Sequence, residues 1–502
     1  MFRTPLLLLA VWAGAIHVAA QAASGPGGVF EIEVVDRQTR EPLACRMHLT
    51  NTAGESLKAP RVPFWHDHFT FDGKVSLKLP KGDYDFTIEH GLEYSPQTGR
   101  FTMDNFSKDK KTFELERFAD MAAEGWWSGD IDVARHAVDL PLLMRAEDLH
   151  IVTLITWPNR EVLLPSGYDP ARTLVSFDKN RFVHVGAGID ARDGGTLLLL
   201  NLARPLPLES LSTQLGSLEQ SKANNGWADA RRVADWDLPL WIASGKLDSV
   251  QVLNSDIRRS TEKGSRPKKQ TGKPLDGSEF DGADGQGRWA EAIYYHLLNC
   301  GLRIAPTAGS GSGEFANPLG FNRMYVHVEG ELTYDRWWEG VRAGRVTITN
   351  GPLLRPIVEG ELPGFVFRAE AGQQIELEMA LNFASREGVS AIEVLKNGEV
   401  VHSVSTPDFI QAGGNLPTVT FNGSGWVLIR AAASVPSGHR LAITAPYYVE
   451  IGGEPRISRK SAEFFLAWAN DRATASKATQ NAADHAQAIA FWQDLVARAN
   501  AP

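Results

Sequence analysis

Residues 125–159 read Gly125-Trp-Trp-Ser-Gly-Asp-Ile-Asp-Val-Ala-Arg-His-Ala-Val-Asp139, Leu140-Pro-Leu-Leu-Met-Arg-Ala-Glu-Asp-Leu-His150, Ile151-Val-Thr-Leu-Ile-Thr-Trp-Pro-Asn159. The spacing predicts a short strand at 129–133, a loop of ionisable groups, a helix over 139–149 and a second strand at 151–156. Asp139 suits an N-cap, Pro141 falls in the first turn where its missing N–H costs little, and Leu142, Leu143, Ala146 and Leu149 share one helical face. A strand, helix and strand in that order make a βαβ unit, whose strands run parallel and carry their polar side chains at the carboxyl ends.

A chain of 502 residues is too long for one core, so two to four domains are expected. A net charge of −9 argues against a nucleic-acid partner, which needs a basic face. The basic residues Arg258, Arg259, Lys263, Arg266, Lys268, Lys269 and Lys273 read as a solvated loop. Arg3, the apolar run Pro5 to Ile16 and the small residues Ala20-Gln-Ala22 describe a secretory signal peptide over 1–22. No later apolar run is long enough to span a bilayer, so the expectation is a secreted or periplasmic protein with no membrane insertion after cleavage. Cys45 and Cys300 alone exclude a disulfide framework.

Residues 28–115 alternate with period two between turn signals, as in a small antiparallel β-sandwich. Residues 120–355 alternate strand and helix patterns, as in an α/β barrel or layered sheet, and Thr196-Leu-Leu-Leu-Leu-Asn-Leu202 reads as a buried parallel strand within it. Residues 356–452 return to strands, with Asn397-Gly398 as a type I′ hairpin turn. Residues 453–502 read as closing helices. The Lys-, Gly- and Asp-rich segment 261–287 is a long inserted loop.

The N-terminal sandwich resembles the carboxypeptidase-regulatory-like, transthyretin-like accessory domain. The middle of the chain resembles the CehA/McbA-type branch of the PHP-domain metallohydrolases, on Ser128-Gly-Asp130-Ile-Asp132, Ala146-Glu-Asp148, Val250-Gln-Val-Leu-Asn254, Gly309-Ser-Gly-Ser312 and Asn317-Pro-Leu-Gly-Phe-Asn-Arg323, with Trp337-Trp-Glu-Gly to Asn350-Gly-Pro352. That resemblance implies a distorted (β/α)7 barrel and metal-assisted hydrolysis of ester, amide or phosphoester bonds, with divalent ions at the strand ends. It also implies ligands this chain lacks. The family's Gly-Asp-x-His-x-His is Gly129-Asp130-Ile-Asp132-Val-Ala134 here, its Thr-Asp-His-Asn is Thr156-Trp157-Pro158-Asn159, and its Gly-Ser-Asp-Ser-His is Gly309-Ser310-Gly311-Ser312-Gly313.

Asp130 and Asp132 lie two residues apart on one strand face, so they are the positions for a single divalent ion held by oxygen ligands; alternatively Asp130 braces the strand ends and Asp132 occupies a vacated site. His136, Arg135 and Glu147 are the catalytic candidates, Arg135 for an anionic substrate and His136 as a substitute imidazole. Asn254 and Asp256 are the ligand-binding candidates. His66-Asp67-His68 reads as structural. The function expected is an exported scaffold that binds a small-molecule, glycan or peptide ligand without hydrolysing it, with an active metallohydrolase of reduced, carboxylate-based site as the alternative.

Overall fold

The computed structural model describes residues 27–158, 173–259, 272–274, 277–282, 284–435, 438–475 and 482–502. The expected leader at 1–22, Asn159, and Lys263, Arg266, Lys268 and Lys269 lie outside those residues. No helix among the described residues is long and apolar enough to cross a membrane.

Two sheets face each other in the N-terminal unit. One is three-stranded, with Gly28–Asp36 between Lys74–Leu79 and Lys108–Leu115; the other is five-stranded and centres on Ala44–Asn51. Alternation decides the packing: Phe30, Ile32 and Val34 point inward from the first, and Met47, Leu49, Phe69 and Phe71 meet them from the second.

The expected βαβ unit is present. Strand Trp126–Val133 pairs in parallel with Ile151–Pro158, and helix Leu140–Ala146 connects them. The helix is shorter than 139–149. Asp148 takes a left-handed φ of 49°, which ends the helix at Glu147, and the Asp139 side chain makes no capping hydrogen bond. From that pair the sheet runs outward through Arg181–Arg192, Gly195–Leu200, Trp227–Ala230, Ser249–Leu253 and Ala305–Ala308. The loop after the last strand meets the first at an isolated bridge between Val133 and Ser312, backed by Ala134 N–H to Ser312 O at 2.7 Å.

The run at Thr196 is buried as expected, but it is not parallel. Gly195–Leu200 lies antiparallel to both neighbours, because Arg192 pairs with Gly195 across the two-residue turn Asp193-Gly194. Asp-Gly between apolar runs is itself a hairpin signal, and it interrupts the strand–helix alternation expected over 120–355.

The C-terminal unit is a second sandwich. Leu353–Val358, Ile375–Ala384 and Asn415–Phe421 form one sheet. The opposing sheet carries Val389–Lys396 and Glu399–Ser405, joined by Asn397-Gly398 with φ of 54° and 89°, as the type I′ expectation requires. This opposing sheet is continuous with the middle unit, since Val346–Thr349 pairs with Arg440–Thr444. The closing helices Arg459–Ala475 and Ala482–Ala497 pack on the middle unit, where the indoles of Trp468 and Trp492 donate to the carbonyls of Trp236 and Pro239.

Charged groups fasten the N-terminal sandwich to the rest. Arg117, on the connecting segment, donates to Glu93 at 2.9 Å and to Asp148 at 2.8 Å, and Arg181 reaches the other Asp148 oxygen at 3.2 Å. Burial pushes the Asp148 carboxyl up, but the positive charges around it, His90 and Arg117 foremost, overcome that and hold it well below the usual carboxylate range. A depressed folded-state pKa contributes stability that is complete above the unfolded value near ~4 and is lost as pH falls toward the folded value. Urea denaturation at pH 7 and pH 3 is therefore expected to show the native chain losing more stability on acidification than Asp148→Asn does.

Candidate functional site

The strand ends of the middle unit converge on a buried polar core. Asp130 is fully buried, and its carboxylate accepts from the Ser310 hydroxyl and from the backbone N–H of Ser310 at 3.1 Å, Gly320 at 2.8 Å and Asp132 at 3.2 Å. Burial raises this carboxyl to about 7, against the pull of those four donors. Asp130 thus ties the loop 309–320 to the first strand.

Asp132 is held differently. Arg231 grips it with Nε on Oδ2 at 2.7 Å and Nη2 on Oδ1 at 3.0 Å, a bidentate pair with both side chains almost wholly inaccessible. The same guanidinium reaches Glu314 at 2.7 Å and lies over the Phe315 ring. Strand parity explains the arrangement: Asp229 and Arg231 lie two residues apart at the end of Trp227–Ala230, and Asp130 and Asp132 do the same on the first strand. Asp229 accepts from Ser249 and Thr307, both at 2.5 Å, and burial raises its carboxyl to about 7. The Gln251 amide lies against the same carboxylate and pulls its pKa down, as the two hydroxyls do.

The glycine-rich loop closes this core. A Cβ on Gly309 would lie 2.4 Å from that of Asp132, so only glycine allows the approach. Its amides are consumed internally: Gly309 N–H goes to Leu253 O, Ser310 N–H to Asp130, Gly311 N–H to Asp132 O and Ser312 N–H to the Ser310 hydroxyl. They are not free to cradle a phosphate.

The remaining sequence candidates scatter. Arg135 is buried but turns away, its guanidinium 4.6 Å above the Trp65 ring of the N-terminal sandwich. His136 is on an exposed loop. Glu147 faces the other direction entirely, paired with Arg46 of the N-terminal sandwich and 3.7 Å from Arg323. Asn254 makes a local turn, accepting from Asp256 N–H at 3.0 Å, while Asp256 lies 3.7 Å from Arg232. The catalytic trio of His136, Arg135 and Glu147 is therefore not assembled. Trp126, Trp337 and Trp338 are core, none more than 3% exposed, and the Trp337 indole N–H donates to Trp127 O.

Known proteins add little. No protein-family model matches this sequence, and no curated protein matches it. Among solved structures, the Bacillus anthracis TIE protein is similar at 17% identity over 22% of this chain and 20% of its own, with a TM-score of 0.15. The Clostridium thermocellum CbhA fibronectin(III)-like modules are similar at 21% identity over 19% of this chain and 96% of theirs, with a TM-score of 0.14. Likeness this slight carries no argument about the fold or the site.

Sequence reasoning overlooked Arg231 and Asp229. Asp229-Ala-Arg231 repeats the alternate-residue spacing of Asp130-Ile-Asp132 at a strand end, and that parity was the available signal. His48 was overlooked as well. It lies opposite His68 on the adjacent strand, so that His48, Asp67 and His68 offer ligand atoms within 4.8 Å of one another. Arg259, however, already bonds both Asp67 and His48 there.

Proposed function

We propose that this chain is an exported scaffold of the PHP type, related to the CehA/McbA branch, whose middle unit binds a small-molecule, glycan or peptide ligand and does not hydrolyse it. In this reading the strands from Trp126–Val133 round to Ala305–Ala308 are a distorted (β/α)7 barrel with one reversed strand, and the N-terminal sandwich is a regulatory-like accessory domain. The observation that carries it is the bidentate hold of Arg231 on Asp132. A guanidinium with its charge on both carboxylate oxygens satisfies the group that a divalent ion would need, and the cation's place is filled by the chain itself.

Asp130 supports the same reading. A metal ligand needs an outward lone pair, whereas this carboxylate is spent on four donors. The apolar segment after Arg3 supports export.

The test is metal content together with turnover. After equilibration with Zn²⁺, Mn²⁺ or Mg²⁺ and desalting, the purified chain is expected to carry substoichiometric metal, to melt at the same temperature with and without chelator, and to leave ester, amide and phosphoester substrates intact. Stoichiometric metal that disappears in Asp132→Ala together with hydrolysis would overturn the reading in favour of the active enzyme.

A further inference from the structure

A second polar site lies where the three units meet, and the function proposed above makes no use of it. A cavity of about 190 Å³ is lined by Arg46 and Glu89 of the N-terminal sandwich, by Glu147, Arg259 and Arg323 of the middle unit, and by Arg386, Glu387 and Arg440 of the C-terminal sandwich. Five guanidiniums thus face three carboxylates.

Four of the arginines are accounted for. Arg46 holds Glu89 and Glu147, Arg386 holds Glu89 at 3.2 Å and Glu387 at 3.1 Å, Arg323 is 3.7 Å from Glu147, and Arg259 takes Asp67 from outside the cavity lining. Arg440 differs. Among the described residues it forms no ion pair within 4.0 Å, and its Nη2 donates to the Arg259 carbonyl at 3.5 Å. It stacks 4.5 Å above the Phe321 ring, and its Nη1 is buried without a hydrogen-bond partner. Glu387 offers the complement: Oε1 accepts from Arg386, and Oε2 is buried without a donor.

Both side chains line the cavity and come close to each other beside Gly351. The position a Cβ would take on Gly351 lies 3.4 Å from Glu387 Oε2 and 3.5 Å from Arg440 Cδ. A buried donor and a buried acceptor each carry a desolvation cost when left unpaired, so a molecule that satisfies both at once is favoured. The unpartnered guanidinium nitrogen asks for an acceptor, for which an anion is best suited, and the orphan carboxylate oxygen asks for an O–H donor.

We propose that this three-unit junction binds a singly protonated phosphoryl group, with Arg440 donating to a phosphoryl oxygen and the P–O–H donating to Glu387. A carboxylate or a sulfate carries the charge but no proton to give at neutral pH, and it would leave Glu387 facing a second anion. Inorganic phosphate holds at least one P–O–H throughout pH 6–7, and a phosphomonoester, with a second pKa of about 6, keeps its last one in part. Binding involves no covalent step, and both of its contacts fall on the C-terminal sandwich where that faces the other two units.

The experiment is calorimetric titration of the full chain at pH 6.5 and matched ionic strength with inorganic phosphate, sulfate and glycerol 3-phosphate. Phosphate is expected to bind saturably, and sulfate at least about tenfold more weakly, because it leaves the buried acceptor unpaired. Glu387→Gln is expected to narrow that preference, since an amide N–H can donate to sulfate, and Arg440→Gln to abolish binding of both. Equal binding of glycerol 3-phosphate would identify a phosphomonoester as the ligand class, and exclusion of it would identify the free ion; either supports the site. Phosphate that acts no differently from sulfate, or a preference unchanged in Glu387→Gln, overturns the proposal. Should Arg440→Gln fail to fold, the near-isosteric Glu387→Gln still decides it.

Discussion

Replacing Arg231 with leucine is expected to lower the unfolding free energy by about 3–5 kcal/mol, the range for stripping one partner from a buried ion pair. The cost arises on Asp132, which is 0% exposed and would keep its charge without its bidentate partner, or take up a proton to escape it. The carboxyl is already raised by burial, with the Arg231 charge pulling the other way. Removing that charge releases the upward shift. Adding Asp132→Asn to Arg231→Leu is then expected to recover most of the loss, and a double-mutant cycle by urea denaturation measures the coupling. If both singles cost little and add without coupling, the pair does not hold the strand ends. The same variant tests the site's chemistry, because Arg231→Leu frees Asp132, and new metal affinity in that variant alone would identify the guanidinium as the group that displaced a cation.

Glu147→Ala carries the second large effect. Its side chain is 5% exposed and bridges two units, with Arg46 on the N-terminal sandwich and Arg323 behind it. Truncation leaves Arg46 with Glu89 alone and Arg323 with its carbonyl bonds to Gly320 and Glu147. The expected cost is again about 3–5 kcal/mol. It should fall on docking, so unfolding is expected to split into two steps, with the segment around Arg117 becoming open to proteolysis first. Arg46→Leu is expected to reproduce the split, which assigns it to the bridge.

The opening βαβ unit could be read from the sequence because its information is local: alternating apolar residues, Pro141 in the first turn, and apolar spacing along one helix face. Asn397-Gly398 was legible for the same reason, since a type I′ turn needs two positive φ values and those residue types supply them. The direction of strand Gly195–Leu200 was missed because four buried leucines look alike in parallel and antiparallel sheets, and the Asp193-Gly194 turn that decides it went unweighed. Asp130 and Asp132 were found by their spacing. Their partners were not, because Ser310 and Gly320 lie about 180 residues away in the chain, and Arg231 is 99 residues from Asp132. No local pattern announces which guanidinium will cross that distance. Glu147 shows the converse failure: matched to a family position by sequence, it meets a strand of another unit that periodicity cannot place beside it.

The ladder between Val346–Thr349 and Arg440–Thr444 has a mechanical consequence. Backbone hydrogen bonds run unbroken from the middle unit into the C-terminal sandwich, with Thr347, Ile348 and Thr349 opposite Thr444, Ile443 and Ala442. Severing the chain near residue 355 would leave two raw sheet edges, each an invitation to stick to another molecule. A tension applied between the two units would load several such bonds together, so they behave as one stiff body, and the N-terminal sandwich, fastened by charged side chains, is the part that yields first.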